Sequence, residues 1–208
     1  MKFIISFILF FVATINSFAT IESSPVNQLT RYLGSYTTYA ANFHQLNVED
    51  NEVAGQAKGS IYLQRPGHFR WDQSWPQHQI TYLNNNQLIV YDADLMQATK
   101  RTIKNINESQ NPAALLTGRV DDLMHFYNVK KVILQKKPWF LLTPKSKNAG
   151  FQRIYFNFGQ GHLAALIVIN NLGEKSLYTF SQVEVNRGIP NHYFEFDPPR
   201  GVDINVEK

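Results

Sequence analysis

The run Gln79-Ile80-Thr81-Tyr82-Leu83-Asn84-Asn85-Asn86-Gln87-Leu88-Ile89-Val90-Tyr91 decides how this chain reads. Two short segments rich in β-branched and aromatic residues flank three asparagines, and asparagine is among the few residues that tolerate positive φ. A hairpin is the expected product. The same period of two extends to both sides. Upstream, Tyr39, Ala41, Phe43 and Gln45 alternate with Ala40, Asn42 and His44. After a polar turn at 49–52 come strands over 55–64 and 68–73, broken at Arg65-Pro66-Gly67. Downstream, 129–135, 139–143, 152–158, 163–170, 176–184 and 193–196 read as further strands, with turns at Gly159-Gln160-Gly161 and Asn170-Asn171-Leu172-Gly173. Pro198-Pro199 cannot donate to a ladder and predicts an exit from the sheet.

Two places break this pattern. Residues 25–36 put Val26, Leu29, Leu33 and Tyr36 at helical spacing behind Ser24 as N-cap, which predicts a short amphipathic helix. Asn111-Pro112-Ala113-Ala114-Leu115-Leu116 joins an N-cap to proline at the first helical position, Gly118 closes it, and 121–126 predicts another helical turn. The expected class is therefore α+β: one domain, an antiparallel meander with one helix in front and a helical insert. A long antiparallel sheet twists and curls. Apolar residues recur on single strand faces: Leu88 and Val90; Ile154, Phe156 and Phe158; Leu163, Ala165, Ile167 and Ile169; Val183 and Val185. Two or three short helices are too few to fill so large a concave face, which predicts a curled sheet with a separate helical cover and a cavity between them.

Residues 1–19 read as a cleavable export signal: Met1-Lys2, an apolar run over 3–12 interrupted only by Ser6, then Ser17-Phe18-Ala19 before the cut. The run is shorter than the roughly 20 residues that span a bilayer. Cleavage leaves 20–208 as the folded unit. The 208 residues contain no cysteine, so neither a disulfide nor a lipoprotein-type signal is available. Twenty Lys and Arg against sixteen Asp and Glu give a mild basic excess. The charges are scattered, without the arginine-rich run or stacking motif that nucleic-acid binding would need.

Catalytic constellations are lacking. The six histidines (His44, His68, His78, His125, His162, His192) show no HExxH or HxH spacing, and there is no GxSxG elbow, thiol nucleophile or glycine-rich phosphate cradle. Asp92 with Asp94 and Glu195 with Asp197 would share a strand face, the minimum for acid–base work, but charged positions on a solvated face explain them more simply. No enzyme activity, metal or cofactor is expected.

One segment carries a family likeness. Gly59-Ser60-Ile61-Tyr62-Leu63-Gln64-Arg65-Pro66-Gly67-His68-Phe69-Arg70-Trp71 resembles the outer-membrane lipoprotein carrier family, LolA, in which a G-x-(apolar)-x-(apolar)-x-R-P-x-x-F-x-W run recurs. Tyr91-Asp92-Ala93-Asp94-Leu95-Met96-Gln97-Ala98-Thr99 is similar to that family's Y-D-P-D-L-x-Q-x-T block, with Ala93 in place of proline. Leu142-Thr143-Pro144-Lys145 and the closing 194–203 also match, so the likeness covers nearly all of the mature chain. The departures, Asn84-Asn85-Asn86 for an Asp-Gly turn and Asn170 for an Asp, fall in turns. The resemblance implies an unclosed, strongly curved antiparallel β-barrel covered by a short-helix lid, with an apolar cavity between. It also implies a periplasmic carrier whose partners are acylated lipoproteins, an inner-membrane ABC lipoprotein-releasing complex and an outer-membrane lipoprotein receptor. It implies that Arg65 hydrogen-bonds the lid backbone and holds the empty cavity shut, and that Phe69 lies at the cavity mouth. With Trp71 on the same strand face, the candidate cargo or partner contacts are Phe69, Trp71, Leu88, Val90, Leu115, Leu116, Ile154 and Phe156. Trp75, before Pro76 in a turn, is a further docking candidate.

Three other readings stay open at this level. A carrier or sensor of another lipid would share the architecture. A hydrolase would need scattered residues brought together into a His–carboxylate cleft. An outer-membrane barrel would need strands of about 9–11 residues with a lipid-facing band.

Overall fold

Ser24, Pro25 and two leucines explain the first helix of a computed structural model that describes residues 23–50, 52–103, 116–117, 125–146 and 149–207. In α1 (Pro25–Gly34) the Ser24 hydroxyl accepts from the Asn27 N–H at 3.2 Å, proline fills the first turn, and Leu29 and Leu33 bury completely, one turn apart. The helix ends at Gly34, two residues before the sequence pattern does, and the Tyr36 carbonyl is bonded elsewhere.

The strands are β1 (Thr38–Glu49), β2 (Glu52–Gln64), β3 (His68–Trp75), β4 (Gln79–Asn84), β5 (Gln87–Asp92), β6 (Gln97–Thr102), β7 (Tyr127–Leu134), β8 (Lys137–Pro144), β9 (Phe151–Gly159), β10 (His162–Asn170), β11 (Lys175–Val185) and β12 (Asp203–Glu207). They form a single sheet in the order β12-β6-β5-β4-β3-β2-β1-β11-β10-β9-β8-β7. The sheet is thus two meanders, β1 to β6 and β7 to β11, joined where β1 pairs β11. The Asn84–Gln87 hairpin is as read from the sequence, with Asn85 at φ 55°. β7 and β12 are edges and do not pair with each other among the described residues, so the ladder stays open. A barrel that spans lipid must be closed, which removes that reading.

The sheet is tightly curved. Trp71 on β3 and Tyr178 on β11 are three strand positions apart, about 14 Å on a flat sheet, yet their ring centroids are 5.5 Å apart. The Tyr39 hydroxyl likewise reaches the Leu163 carbonyl, two strands away, at 2.9 Å. The main core lines this concave side, from Leu63, Phe69 and Leu83 to Phe140, Ile154 and Phe156, with Leu29 and Leu33 of α1 packed onto it.

Four expectations need correction. Residues 193–196 are not a strand: a 3-10 helix at Asn191–Phe194 follows Pro190, and Phe194 buries its ring against the convex side of the sheet. The chain does not leave the sheet at Pro198-Pro199. After Gly201 (φ 91°) it returns as β12, which pairs β6 in parallel, so the sheet is not wholly antiparallel. β6 itself, polar and short, was not foreseen. In β10 a register shift after Leu163 turns Leu166 and Val168 inward and Ile167 outward, because an extra residue reverses every later side chain. The predicted insert over 111–124 lies outside the described residues except for Leu116 and Thr117.

A second apolar cluster lies on the convex side, where Ile80, Tyr82, Ile89, Tyr91 and Ala98 are covered by Phe196 and Val202. Removing Phe156, fully buried on the concave side, should cost about 3–5 kcal/mol as Phe156→Ala. Ile133→Ala, at a side chain 66% exposed, should stay within about 0.5 kcal/mol. Urea unfolding of the two variants checks the assignment of faces.

Candidate functional site

Arg65 follows the last residue of β2 and is held there by its own N–H, which bonds the Thr37 carbonyl at 2.9 Å. Its guanidinium reaches into the space between α1 and the sheet. Nε donates to the Leu116 carbonyl at 2.7 Å, and Nη1 donates to the carbonyls of Tyr36, at 2.8 Å, and Leu33. Leu33 is in the last turn of α1, where carbonyls have no partner within the helix. Arg65 therefore acts as a cap supplied from another element, with its positive charge at the negative end of the helix dipole. The Tyr36 ring lies 5.0 Å from the guanidinium carbon. No carboxylate pairs with Arg65 among the described residues. Burial draws its pKa down, partly offset by Tyr36, whose own hydroxyl burial pushes up. The Gly67 N–H bonds the Thr117 carbonyl at 3.2 Å, so 116–117 are held at two points beside the Arg65 turn.

Beyond this junction the concave face is a series of cross-strand rows. Leu63, Phe69, Leu83 and Leu88 form one row, and Ile61, Trp71, Thr81 and Val90 the next. Phe43 stacks on Trp71 with centroids 3.8 Å apart, and Tyr32 of α1 stacks on Phe158 at 4.7 Å. Toward the other end run Gln45, Tyr178, Leu166, Phe156 and Phe140, then Asn47, Ser176, Val168, Ile154 and Leu142. Under α1 the side chains touch. Open space lies at the end away from Arg65, a cavity of about 570 Å³ lined by Gln45, Asn47, Phe151, Val168, Ser176 and Tyr178 among others. The Tyr178 hydroxyl is pushed up to about 12 by burial, with the Ser176 hydrogen bond opposing, and stays protonated at neutral pH.

Residues 34–197 match the family described as outer membrane lipoprotein carrier protein LolA. The chain belongs to that family. The outer-membrane lipoprotein carrier protein of Coxiella burnetii is 34% identical over 205 residues, 98% of this chain and 97% of its own. The protein of the same name from Nitrosospira multiformis is 31% identical, covering 91% of this chain and 92% of its own. An uncharacterised conserved protein of Thermus thermophilus superposes with a TM-score of 0.52 at 10% identity, over 88% of this chain and 97% of that one, a likeness of fold alone.

Of the LolA-like candidates, Phe69, Leu116, Ile154 and Phe156 are buried in the concave core together with Trp71 and Leu88. Phe69 is wholly enclosed. Val90 is half-buried on the same face, Leu115 lies outside the described residues, and Trp75 ends β3 half-exposed. The carboxylate pairs do local work: Asp92 Oδ1 accepts from the Leu95 N–H and Asp94 Oδ2 from the His78 N–H, while Glu195 and Asp197 are exposed. Sequence reasoning passed over Asn47 and Ser176, although the alternation Tyr39, Ala41, Phe43, Gln45 already turned polar at its end.

Gly59 keeps the aromatic pair together. An added Cβ would stand 1.9 Å from the Asp72 carbonyl oxygen and 2.8 Å from the Phe43 ring. Gly59→Ala should lose about 1–3 kcal/mol and shift the tryptophan fluorescence as Phe43 leaves Trp71, both read in one urea titration.

Proposed function

We propose that this chain is a periplasmic carrier that hides the acyl chains of lipoproteins against its concave face while they cross water. An inner-membrane ABC releasing complex would load it, and an outer-membrane receptor lipoprotein would empty it. Residues 1–19 serve as the export leader and 20–208 as the carrier, with no catalytic role. The observation that carries the reading is a charged side chain that meets three backbone carbonyls and, among the described residues, no carboxylate, above an apolar concave sheet.

The magnitudes favour such a device. Each buried CH₂ is worth roughly 0.8 kcal/mol, so a sixteen-carbon chain resists leaving a membrane by about 12 kcal/mol. Unaided crossing is too slow to be useful, and a carrier must offer a substitute surface and later give it up. Charged hydrogen bonds contribute about 1.5–3 kcal/mol each. Three from Arg65 bias the closed form, yet together they stay below what one inserted chain supplies, so cargo shifts the population toward the open form.

Incubated with inner-membrane vesicles and ATP, the protein should bring a lipoprotein into the soluble fraction, and its absence there would end the carrier reading. Arg65→Leu leaves three carbonyls without their donor and should favour the open form. The variant should load but pass cargo to the receptor at least about tenfold less completely than wild type, since losing even one such bond is worth that factor. Equal transfer by both proteins would show that Arg65 is no latch.

A further inference from the structure

The concave face is apolar wherever α1 and Arg65 lie above it, but at the far end it becomes polar and uncharged. Gln45 and Asn47 continue the inward alternation of Tyr39, Ala41 and Phe43 on β1, and Ser176 stands opposite Asn47 on β11. The three form a shelf. Gln45 Nε2 donates to Asn47 Oδ1 at 2.7 Å, and the Ser176 hydroxyl donates to the same oxygen at 2.8 Å. Those bonds occupy both lone pairs of that oxygen and fix the amide plane. Both N–H bonds of Asn47 Nδ2 remain without a partner among the described residues. Across the strand pair, Gly55 has no side chain to cover them: a Cβ there would stand 3.5 Å from Nδ2. The shelf lines the cavity of about 570 Å³, and the ionised groups Glu49, Glu174 and Lys175 sit at its rim.

A surface of fixed N–H donors, without charge and continuous with hydrocarbon, selects a ligand that carries acceptors at the end of an apolar tail. A fatty acyl group is built that way, since its chain ends in a carbonyl acceptor, which in an ester has no donor beside it. Burying that carbonyl against hydrocarbon alone is costly, and a waiting N–H removes the cost. We propose that Gln45, Asn47 and Ser176 form the site for the carbonyl ends of the cargo's acyl chains. The tails then run along β1 toward Arg65, and the attached polypeptide leaves past Glu49 and Lys175. From Asn47 to Tyr39 the strand covers about 26 Å, enough for an extended sixteen-carbon tail. The assignment rests on the carrier reading and adds to it a direction for the cargo and a recognition of the carbonyl.

The test compares 1-palmitoylglycerol with 1-O-hexadecylglycerol, which differ by one carbonyl. Each displaces anilinonaphthalene sulfonate from the purified protein, followed by fluorescence. Wild type should bind the ester about tenfold more tightly than the ether. Asn47→Leu should bring the ratio to about one with ether affinity unchanged, which also shows that the fold is kept. Asn47→Asp retains the outline, removes the donors and should abolish or invert the preference. Equal affinities in wild type, or an undiminished ratio in both variants, would overturn the shelf while leaving the carrier intact. If neither compound displaced the dye, carrier and shelf would fall together.

Discussion

Helix and sheet of this molecule meet at a cation surrounded by neutral oxygens. Arg65 joins three pieces of chain that are otherwise separate in sequence: the end of β2, the last turn of α1 with Tyr36, and Leu116. A carboxylate partner would have made a pair whose separation leaves a buried charge stranded, a loss of several kcal/mol. Carbonyls make a gentler bond, since parting from them would strand no second charge and water could take the guanidinium's place. Lysine would not serve equally, because an ammonium on a flexible stem lacks the planar fork that reaches three carbonyls at once. Guanidinium also starts so high that the downward push of burial leaves it charged.

Below Arg65 the concave face is packed at one end and open at the other. Leu29 and Leu33 lie directly on the concave core, and Tyr32 stacks on Phe158, so helix and sheet are in contact there. An unfilled apolar gap forfeits dispersion contacts on both walls, and side chains close it whenever they can. A ligand placed under α1 would therefore have to part surfaces that touch.

Much of this was legible because local signals agreed with the global arrangement. Asn84 to Gln87 had only one sensible turn, α1 carried its own cap, and the Arg65-Pro66-Gly67 break separated two clear strands. The failures share a cause, namely that a strand pattern does not say what covers each face. Leu88-Ile89-Val90-Tyr91 is apolar without interruption, which is how a strand buried on both sides reads. The reading used only Leu88 and Val90, while Ile89 and Tyr91 lie beneath Phe196 and Val202 on the convex side. That cover arrives through β12, whose five residues follow two prolines and pair with the polar β6. The bulge in β10 is equally silent, since Leu163 to Asn170 alternates acceptably in either phase. At the site, Arg65 was found through a family motif, and its carbonyl partners, being backbone, leave no mark in sequence.

The open seam between β7 and β12 has a mechanical meaning. In a closed barrel the number of strands and their stagger set the bore once and for all. Here, among the described residues, no ladder completes the ring, so strand number and stagger do not fix a bore. A carrier built on such a sheet would not have to be cut to the measure of any one passenger, because bending the sheet would let bulkier or slimmer cargoes meet the same wall.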